Sequence, residues 1–178
     1  MSVISEQELL ERAARIRLVI FDIDGVLTDG RLFFDQQGQE YKGFHAKDSL
    51  GIKLLRKSGV ETAVISGRHS AAVALRMDSI GVTHVHQGHQ DKLPVFETLC
   101  RELQLVPEQI AHVGDDLLDI PLLRRVGLAV GVHDLHPCIL PFVHWVTPHP
   151  GGCGAARDVC ELVMRAQGTL DGILASHY

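Results

Sequence analysis

The chain has 178 residues, of which 46% are apolar, and a formal net charge of −5. This length is enough for one hydrophobic core, so we expect a single domain over residues 1–178. With 5% aromatic residues and no Lys/Arg run, the chain is not typical of nucleic-acid-binding proteins. We recognise no secretory leader and no apolar stretch of membrane-spanning length, so the sequence predicts a cytoplasmic protein that acts on a small molecule. The four cysteines lack C-x-x-C spacing and are expected to be free thiols.

The chain begins with a helix signal that is followed by a strand. Ser5 and Glu8 have the spacing of a capping box, which predicts a helix start. Residues 17–23, whose middle part is apolar, then predict a strand. Residues 32–34 and 40–44 flank a polar, glycine-bearing break, and this arrangement predicts a β-hairpin.

From Asp48 onward, helix and strand patterns alternate. Leu50, Leu54 and Leu55 recur at helical spacing. The segments that follow are, in order, strand 62–65, helix 69–79, strand 82–86, helix 91–104, strand 110–113, helix 116–125, strand 128–132, a short strand 144–147 and helix 154–167. Strands separated by helices of this length predict right-handed βαβ units, and therefore an α/β fold with a doubly wound parallel sheet.

Polar residues follow three of the predicted strands. Asp22 and Asp24 follow the first strand, Ser66 and Arg68 follow the strand after the hairpin, and an aspartate-rich run at 114–119 follows a third. In a parallel sheet, ligands bind beyond the carboxyl ends of the strands. Carboxylates gathered at one edge repel one another unless a cation is bound, and oxygen ligands of this type suit Mg²⁺.

Two of these carboxylates have a spacing that suits phosphoryl transfer. Asp22 can attack a phosphorus atom as nucleophile, while Asp24, on the same side of an extended segment, transfers a proton to the leaving oxygen. The repulsion between a carboxylate and a phosphate must be offset. Mg²⁺, the Ser66 hydroxyl and Lys92 at a predicted helix start can supply that stabilisation.

The strand-end residues match a known order of motifs. The segments DIDGVLTD and ISGR, then Lys92, then GDDLLD, resemble the motifs of haloacid dehalogenase-superfamily phosphatases. The segments YKGFHAKDSLGIKLL, HQGHQDKL and GG-x-GAARDVCEL extend the resemblance, over about residues 19–171, to the 3-deoxy-D-manno-octulosonate 8-phosphate phosphatases. This resemblance implies a Mg²⁺-dependent phosphoric monoester hydrolase without a cap domain, which works through an aspartyl phosphate in lipopolysaccharide precursor biosynthesis.

The resemblance also implies roles for individual residues. Asp22 would be the nucleophile and Asp24 the general acid and base, and Mg²⁺ would be held by Asp22, Asp115 and the backbone carbonyl of Asp24. Ser66 and Lys92 would hold the transferring phosphoryl group. The sugar acid would lie near a larger set of residues, namely Asp24, His45, Ala46, Lys47, Asp48, Ser49, Lys53, Arg68, Arg76 and Lys92.

Several of these residues have a second interpretation or depart from the family pattern. Asp116 and Asp119 are interpreted as caps or as groups that orient the ligands rather than as ligands. Ser66 would also suit a helix N-cap. Lys47 and Cys153 stand where the family is expected to have arginine, so a phosphatase for a nine-carbon, sialic-type 9-phosphate is an alternative.

The histidines offer a weaker signal. His84, His86 and His89 form an H-x-H-x-x-H string, for which a soft-metal site is one alternative. Further histidines, including His133, His136 and His149, are interpreted as surface residues in loops.

Two other classes of protein are possible interpretations of the acidic motifs. A phospho-accepting receiver domain also has an acidic Mg²⁺ pocket, but there the lysine comes last, whereas Lys92 precedes the run at 114–119. A non-catalytic assembly protein would be expected to lack Asp22 or Asp24. The hairpin aromatics are expected to be exposed, and the family resemblance implies a homotetramer in which the hairpins gather.

Overall fold

The computed structural model describes residues 3–176, whose eight strands form two sheets. The strands are β1 (Leu18–Phe21), β2 (Phe33–Phe34), β3 (Glu40–Tyr41), β4 (Glu61–Ser66), β5 (His84–Gln87), β6 (Ile110–Gly114), β7 (Leu128–Gly131) and β8 (Trp145–Val146). Six of them pair in parallel in the order β5-β4-β1-β6-β7-β8. The antiparallel pair β2 and β3 forms the hairpin. The doubly wound parallel sheet predicted from the sequence is confirmed.

Helices cover both faces of the large sheet. They are α1 (Glu6–Ala14), α2 (Ala46–Lys57), α3 (Ala71–Ile80), α4 (Leu93–Leu103), α5 (Ile120–Leu123), α6 (Ala155–Ala166) and α7 (Leu170–Ala175). Within residues 3–176, none of these helices has the length and hydrophobicity that crossing a bilayer demands.

The two faces of β1 belong to two separate apolar cores. Val19 and Phe21 pack with residues of α1, α2, α3 and α6, whereas Leu18 and Ile20 pack with residues of α4 and α5. Side chains alternate between the faces of a strand, so a strand that is covered on both sides must be apolar throughout. This explains why the chain can turn polar only where β1 ends.

The structure corrects the predicted helices in three places. Leu50 is exposed, and the buried side of α2 is formed by neighbours that include Ile52, Leu54 and Leu55. The helix predicted over 116–125 is a 3₁₀ turn followed by the four-residue α5. Helix α7 is not among the predicted elements. In each case the packing of the whole chain selects the buried face or the length of the helix, and local spacing does not determine it.

Candidate active site

A cleft of about 320 Å³ opens at the carboxyl ends of β1, β4 and β6. The three strands are neighbours in the sheet, so residues that are distant in sequence meet here. The lining residues are Asp22, Asp24, Ser66, Gly67, Arg68, Gln90, Lys92, Asp115, Asp116, Leu117, Leu118 and Asp119.

Lys92 links two of the carboxylates at the floor of the cleft. Its Nζ lies 2.5 Å from Oδ1 of Asp22 and 2.7 Å from Oδ1 of Asp119. The Lys92 side chain is buried. Burial alone would lower the pKa of Lys92, but the two carboxylates raise it. Lys92 is therefore a fixed positive charge beside Asp22.

Asp119 uses both of its carboxylate oxygens on protein partners. Its Oδ1 contacts Lys92 and lies 2.8 Å from Nε2 of His112, and its Oδ2 accepts a hydrogen bond of 3.0 Å from the backbone N–H of Asp115. Burial would raise the pKa of Asp119, but the contacts with His112 and Lys92 lower it far below its ordinary value. With its oxygens committed in this way, Asp119 suits the orienting role that the sequence favours.

Asp22 and Asp115 have the properties of a cation site. The ligand atoms of Asp22, Asp115 and Asp119 all lie within 4.8 Å of one another. Burial, partly offset by Lys92 for Asp22, raises the pKa of Asp22 to about 7, and burial together with the nearby carboxylates raises that of Asp115 to about 8. A divalent cation would relieve this repulsion, and the oxygen donors fit Mg²⁺.

Gly25 allows Asp115 to approach the first strand-end loop. The φ angle of Gly25 is +100°, and a Cβ atom at this position would lie 2.1 Å from Oδ2 of Asp115. A larger residue would therefore collide with the Asp115 carboxylate, and it would also be strained. The glycine that directly follows Asp24 keeps the two strand-end loops together.

Lys42 is a site residue that the sequence reasoning missed. It follows β3, its side chain is 1% exposed, and its Nζ forms an ion pair with Oδ1 of Asp24. Lys42 also lies 3.2 Å from Glu40, which in turn lies 2.9 Å from Arg68. The YKGF segment could have indicated this contact. Lys42 directly follows β3, which begins 16 residues after Asp24, and a hairpin at that distance can fold back so that its lysine reaches Asp24.

Ser66 ends β4 and is buried at the cleft wall. Its Oγ accepts a hydrogen bond of 3.3 Å from the backbone N–H of Arg68, which leaves the hydroxyl hydrogen available to a ligand. The N-cap of α3 is Ser70, so the alternative interpretation of Ser66 as an N-cap is wrong.

The residues expected near the sugar acid do not all reach the cleft. Asp24, Arg68 and Lys92 line it. A second group lies between α2 and α3, where Arg76 donates a hydrogen bond of 2.6 Å to Ser49 Oγ. The Nε of Arg76 and the Nδ1 of His45 are buried without a hydrogen-bond partner among residues 3–176.

Asp48 and the other α2 residues of the predicted set have different surroundings. The Asp48 carboxylate accepts hydrogen bonds from the backbone N–H groups of Gly154 (3.1 Å) and Arg157 (2.8 Å), so it caps the start of α6. Ala46 and Lys47 are exposed. Lys53 lines a separate surface depression with residues of α3, and this depression shares no lining residue with the cleft.

One histidine takes part in the site without having been singled out from the sequence. His112 lies on β6, in a segment predicted as a strand, where it is fully buried and contacts Asp119. The sequence could have indicated this role, because His112 stands inside an apolar strand that leads directly into Gly114-Asp115. The rings of His86 and His89 are 6.3 Å apart, and within residues 3–176 the His84, His86 and His89 string is not among the clusters close enough to hold an ion.

Comparisons with known proteins agree with this geometry. A family model described as a haloacid dehalogenase-like hydrolase matches residues 79–156. The crystal structure of a probable YrbI family phosphatase from Pseudomonas syringae is 48% identical, with a TM-score of 0.95, over 97% of this chain and 98% of that one. The crystal structure of the 3-deoxy-D-manno-octulosonate 8-phosphate phosphatase from Moraxella catarrhalis, in complex with a magnesium ion, a phosphate ion and KDO, is 34% identical. Its TM-score is 0.96, over 98% of this chain and all of that one.

The same assignment follows from a curated relative. The Yersinia pestis 3-deoxy-D-manno-octulosonate 8-phosphate phosphatase KdsC is 45% identical over 165 residues, which cover 93% of this chain and 88% of the relative. Such identity over nearly the whole chain, in a protein whose strand ends form this cleft, shows that it belongs to the 3-deoxy-D-manno-octulosonate 8-phosphate phosphatase family of haloacid dehalogenase-like hydrolases.

Proposed function

We propose that this chain hydrolyses 3-deoxy-D-manno-octulosonate 8-phosphate to the free sugar acid and phosphate, in the cytoplasm and as a step toward lipopolysaccharide. The observation that carries the proposal is the buried contact of Lys92 with Asp22, beside Asp24 and Asp115, in a chain of this family. The Moraxella catarrhalis relative binds a magnesium ion, a phosphate ion and KDO, which correspond to the metal ion and the two products of this reaction.

In this proposal Asp22 and Asp24 divide the chemistry. Asp22 attacks the phosphorus atom, and the bond from phosphorus to the sugar oxygen breaks as an aspartyl phosphate forms. Asp24 gives a proton to the departing oxygen and later removes one from the attacking water. The ion pair of Asp24 with Lys42 holds the acid-base carboxylate at the cleft.

Cationic groups offset the charge of the phosphate. Asp22, Asp115 and the backbone carbonyl of Asp24 would hold Mg²⁺, which supplies positive charge to the phosphoryl oxygens when bound. Lys92 adds a fixed positive charge, and the Ser66 hydroxyl donates a hydrogen bond from the cleft wall. Arg68 lies at the cleft entrance and is the cation best placed for the sugar-acid carboxylate.

Steady-state kinetics on a panel of phosphates test the proposed substrate. We expect kcat/KM to be highest for 3-deoxy-D-manno-octulosonate 8-phosphate, lower for nine-carbon 9-phosphates and lowest for hexose phosphates.

A variant of Asp22 tests the proposed nucleophile. Asp22→Asn should abolish turnover and the acid-stable, base-labile phosphoprotein, while Asp78→Asn on the exposed surface of α3 should preserve both. A preference for a nine-carbon substrate would replace the proposed substrate, and a phosphorylated Asp22→Asn protein would refute the nucleophile.

We further propose that the protein is a homotetramer assembled through its hairpin. Phe33, Phe34 and Tyr41 are 52%, 57% and 51% exposed, and a two-stranded unit with this surface favours pairing with copies of itself. Phe44, expected to be exposed with them, packs partly against the core, so Phe33→Asp with Phe34→Asp is the clean disruption. Analytical ultracentrifugation should show a tetramer for the wild type and smaller species for the variant; a fully active wild-type monomer would contradict the proposal.

A further inference from the structure

Three side chains beside the catalytic cleft form a cluster that the proposed reaction does not use for binding. Asp116, His136 and Cys138 each offer one ligand atom, and these atoms all lie within 4.8 Å of one another. Asp116 lines the cleft and comes from the loop after β6, whereas His136 and Cys138 come from the segment after β7. The three residues are therefore neighbours only in the folded chain.

Backbone contacts fix the positions from which these side chains project. The backbone N–H of His136 donates a hydrogen bond of 2.8 Å to the carbonyl of Asp115, which ties the two loops together. Asp116 caps a 3₁₀ turn, with its Oδ1 accepting a hydrogen bond of 2.7 Å from the backbone N–H of Leu117. Cys138 lies in a 3₁₀ helix, Pro137–Phe142, whose N-cap is His136. The cluster is thus held by ordered backbone.

The ligand atoms themselves are accessible and weakly engaged. Asp116 and His136 are exposed and Cys138 is a half-buried free thiol. The Nδ1 of His136 accepts a long, 3.3 Å hydrogen bond from the backbone N–H of Cys138. A neutral imidazole has one lone pair, so binding a metal through His136 exchanges this contact for a bond to the metal.

The donor set differs from that of the catalytic carboxylates. Asp22 and Asp115 offer only oxygen, which suits Mg²⁺, while a thiolate and an imidazole suit Zn²⁺ and similar ions. A Zn²⁺ ion binds its ligand atoms at about 2.0–2.3 Å. At that bond length the three ligand atoms would be closer to one another than the 4.8 Å within which they now lie, so small side-chain rotations would bring them to the metal. The Cys138 thiol releases its proton to solvent as it binds.

We propose that Asp116, His136 and Cys138 bind a thiophilic divalent cation such as Zn²⁺, with a fourth position open to water. Three protein ligands and one open position form a familiar zinc arrangement. This site is separate in its ligands from the Mg²⁺ site, and the His136 contact to the carbonyl of Asp115 joins it to a catalytic loop.

Absorption of bound Co²⁺ tests the proposal on the full chain in saturating Mg²⁺. Only a thiolate ligand gives the intense near-ultraviolet charge-transfer band, so Co²⁺ at the all-oxygen catalytic site does not contribute. We expect about one equivalent of Co²⁺ to produce this band, and we expect Zn²⁺ but not added Mg²⁺ to remove it. The readout does not depend on turnover, so it stands even if the proposed substrate is wrong.

Matched variants assign the band to the cluster. Cys138→Ser should abolish it and His136→Ala should weaken Co²⁺ binding at least tenfold. Cys100→Ser, another half-buried free cysteine, and Cys153→Ser, the exposed one, should retain it. Retained Mg²⁺-dependent activity and circular dichroism in Cys138→Ser would show that the variant folds. A wild type without the band, or a Cys138→Ser protein that keeps it, would overturn the proposal.

Discussion

The Asp119 carboxylate joins Lys92 to β6 and the loop that follows it. It contacts Lys92 at the start of α4, His112 within β6 and the backbone of Asp115. An ionised carboxylate can only accept hydrogen bonds, so His112 donates to it through Nε2–H. His112 thereby positions Lys92 through Asp119 without touching the cleft.

We predict that His112→Leu lowers kcat about 10- to 100-fold, since a hydrogen bond to a charged group contributes roughly 1.5–3 kcal/mol. His112→Gln, which keeps a donor, should recover part of the loss. The control is His144→Leu, which removes a half-buried histidine that accepts a hydrogen bond from Ala129. Steady-state kinetics and thermal unfolding of the three variants check this. Equal losses of kcat in the His144 and His112 variants would show a general folding effect instead.

The proton-transfer role proposed for Asp24 gives a second prediction at this scale. Asp24→Asn should slow both formation and hydrolysis of the phosphoenzyme, by about 10²–10⁴-fold, because the proton donor and the base are lost. Asp29→Asn is the matched control, because Asp29 lies in the same loop and its carboxylate contacts Arg31. Rapid-quench kinetics with the sugar phosphate measure the two steps. An Asp24→Asn enzyme with an unchanged rate and pH profile would exclude the role.

The β2–β3 hairpin shows how one element completes a site built by others. Its stem places the buried Lys42 on Asp24, while Glu40 binds both Lys42 and Arg68. The loop after β4 adds Arg68, whose Nε lies 3.6 Å from Oδ2 of Asp24. The hairpin therefore joins Asp24 to the cleft entrance, and it also exposes its aromatic residues.

We predict that Lys42→Met lowers kcat/KM at least about 10-fold, because it removes a buried, charge-assisted contact to Asp24 while it keeps the apolar stem. Arg31→Met, at a highly exposed residue that precedes β2 and lies 3.8 Å from Asp29, is the matched control. Kinetics and ultracentrifugation of both variants separate catalysis from assembly. Unchanged kcat/KM in a tetrameric Lys42→Met enzyme would show that Lys42 serves only the hairpin.

At the scale of the whole molecule, the carboxylates of Asp22 and Asp115 oppose folding when no cation is bound. The pKa values of Asp22 and Asp115 are raised from 3.8 to about 7 and about 8. Between about pH 4 and 8 the folded chain therefore holds protons that the unfolded chain has released, so the free energy of unfolding falls as pH rises. A bound cation replaces these protons, and its stabilising effect must grow with pH.

We predict that Mg²⁺ raises the unfolding temperature more at about pH 8.5 than at about pH 5.5, with chelator-treated protein as the reference. Asp115→Asn should weaken both the effect of Mg²⁺ and its pH dependence, while Asp78→Asn should leave them unchanged. Differential scanning calorimetry at the two pH values measures this. A Mg²⁺ effect that is equal at both pH values would contradict the inferred proton displacement.

The sequence by itself determined the alternation of strands and helices, because a strand covered on both faces must be apolar and an amphipathic helix must repeat with its own period. It also determined the position of Asp22, Asp24 and the 114–119 run, since polar residues can follow such a strand only at its end. The family resemblance added the reaction and the order of Ser66 and Lys92 within it.

Only the tertiary structure decided which partners those residues have. Lys42 contacts Asp24 because the hairpin folds back, and His112 contacts Asp119 because the loop after β6 turns back onto its own strand. No local period encodes either contact. The packing of α2 against α6 likewise places Asp48 at the start of α6, where it accepts backbone hydrogen bonds, and leaves Leu50 exposed to solvent. Secondary structure follows from short-range pattern, whereas the charge balance of a buried site depends on side chains that meet only when distant segments pack together.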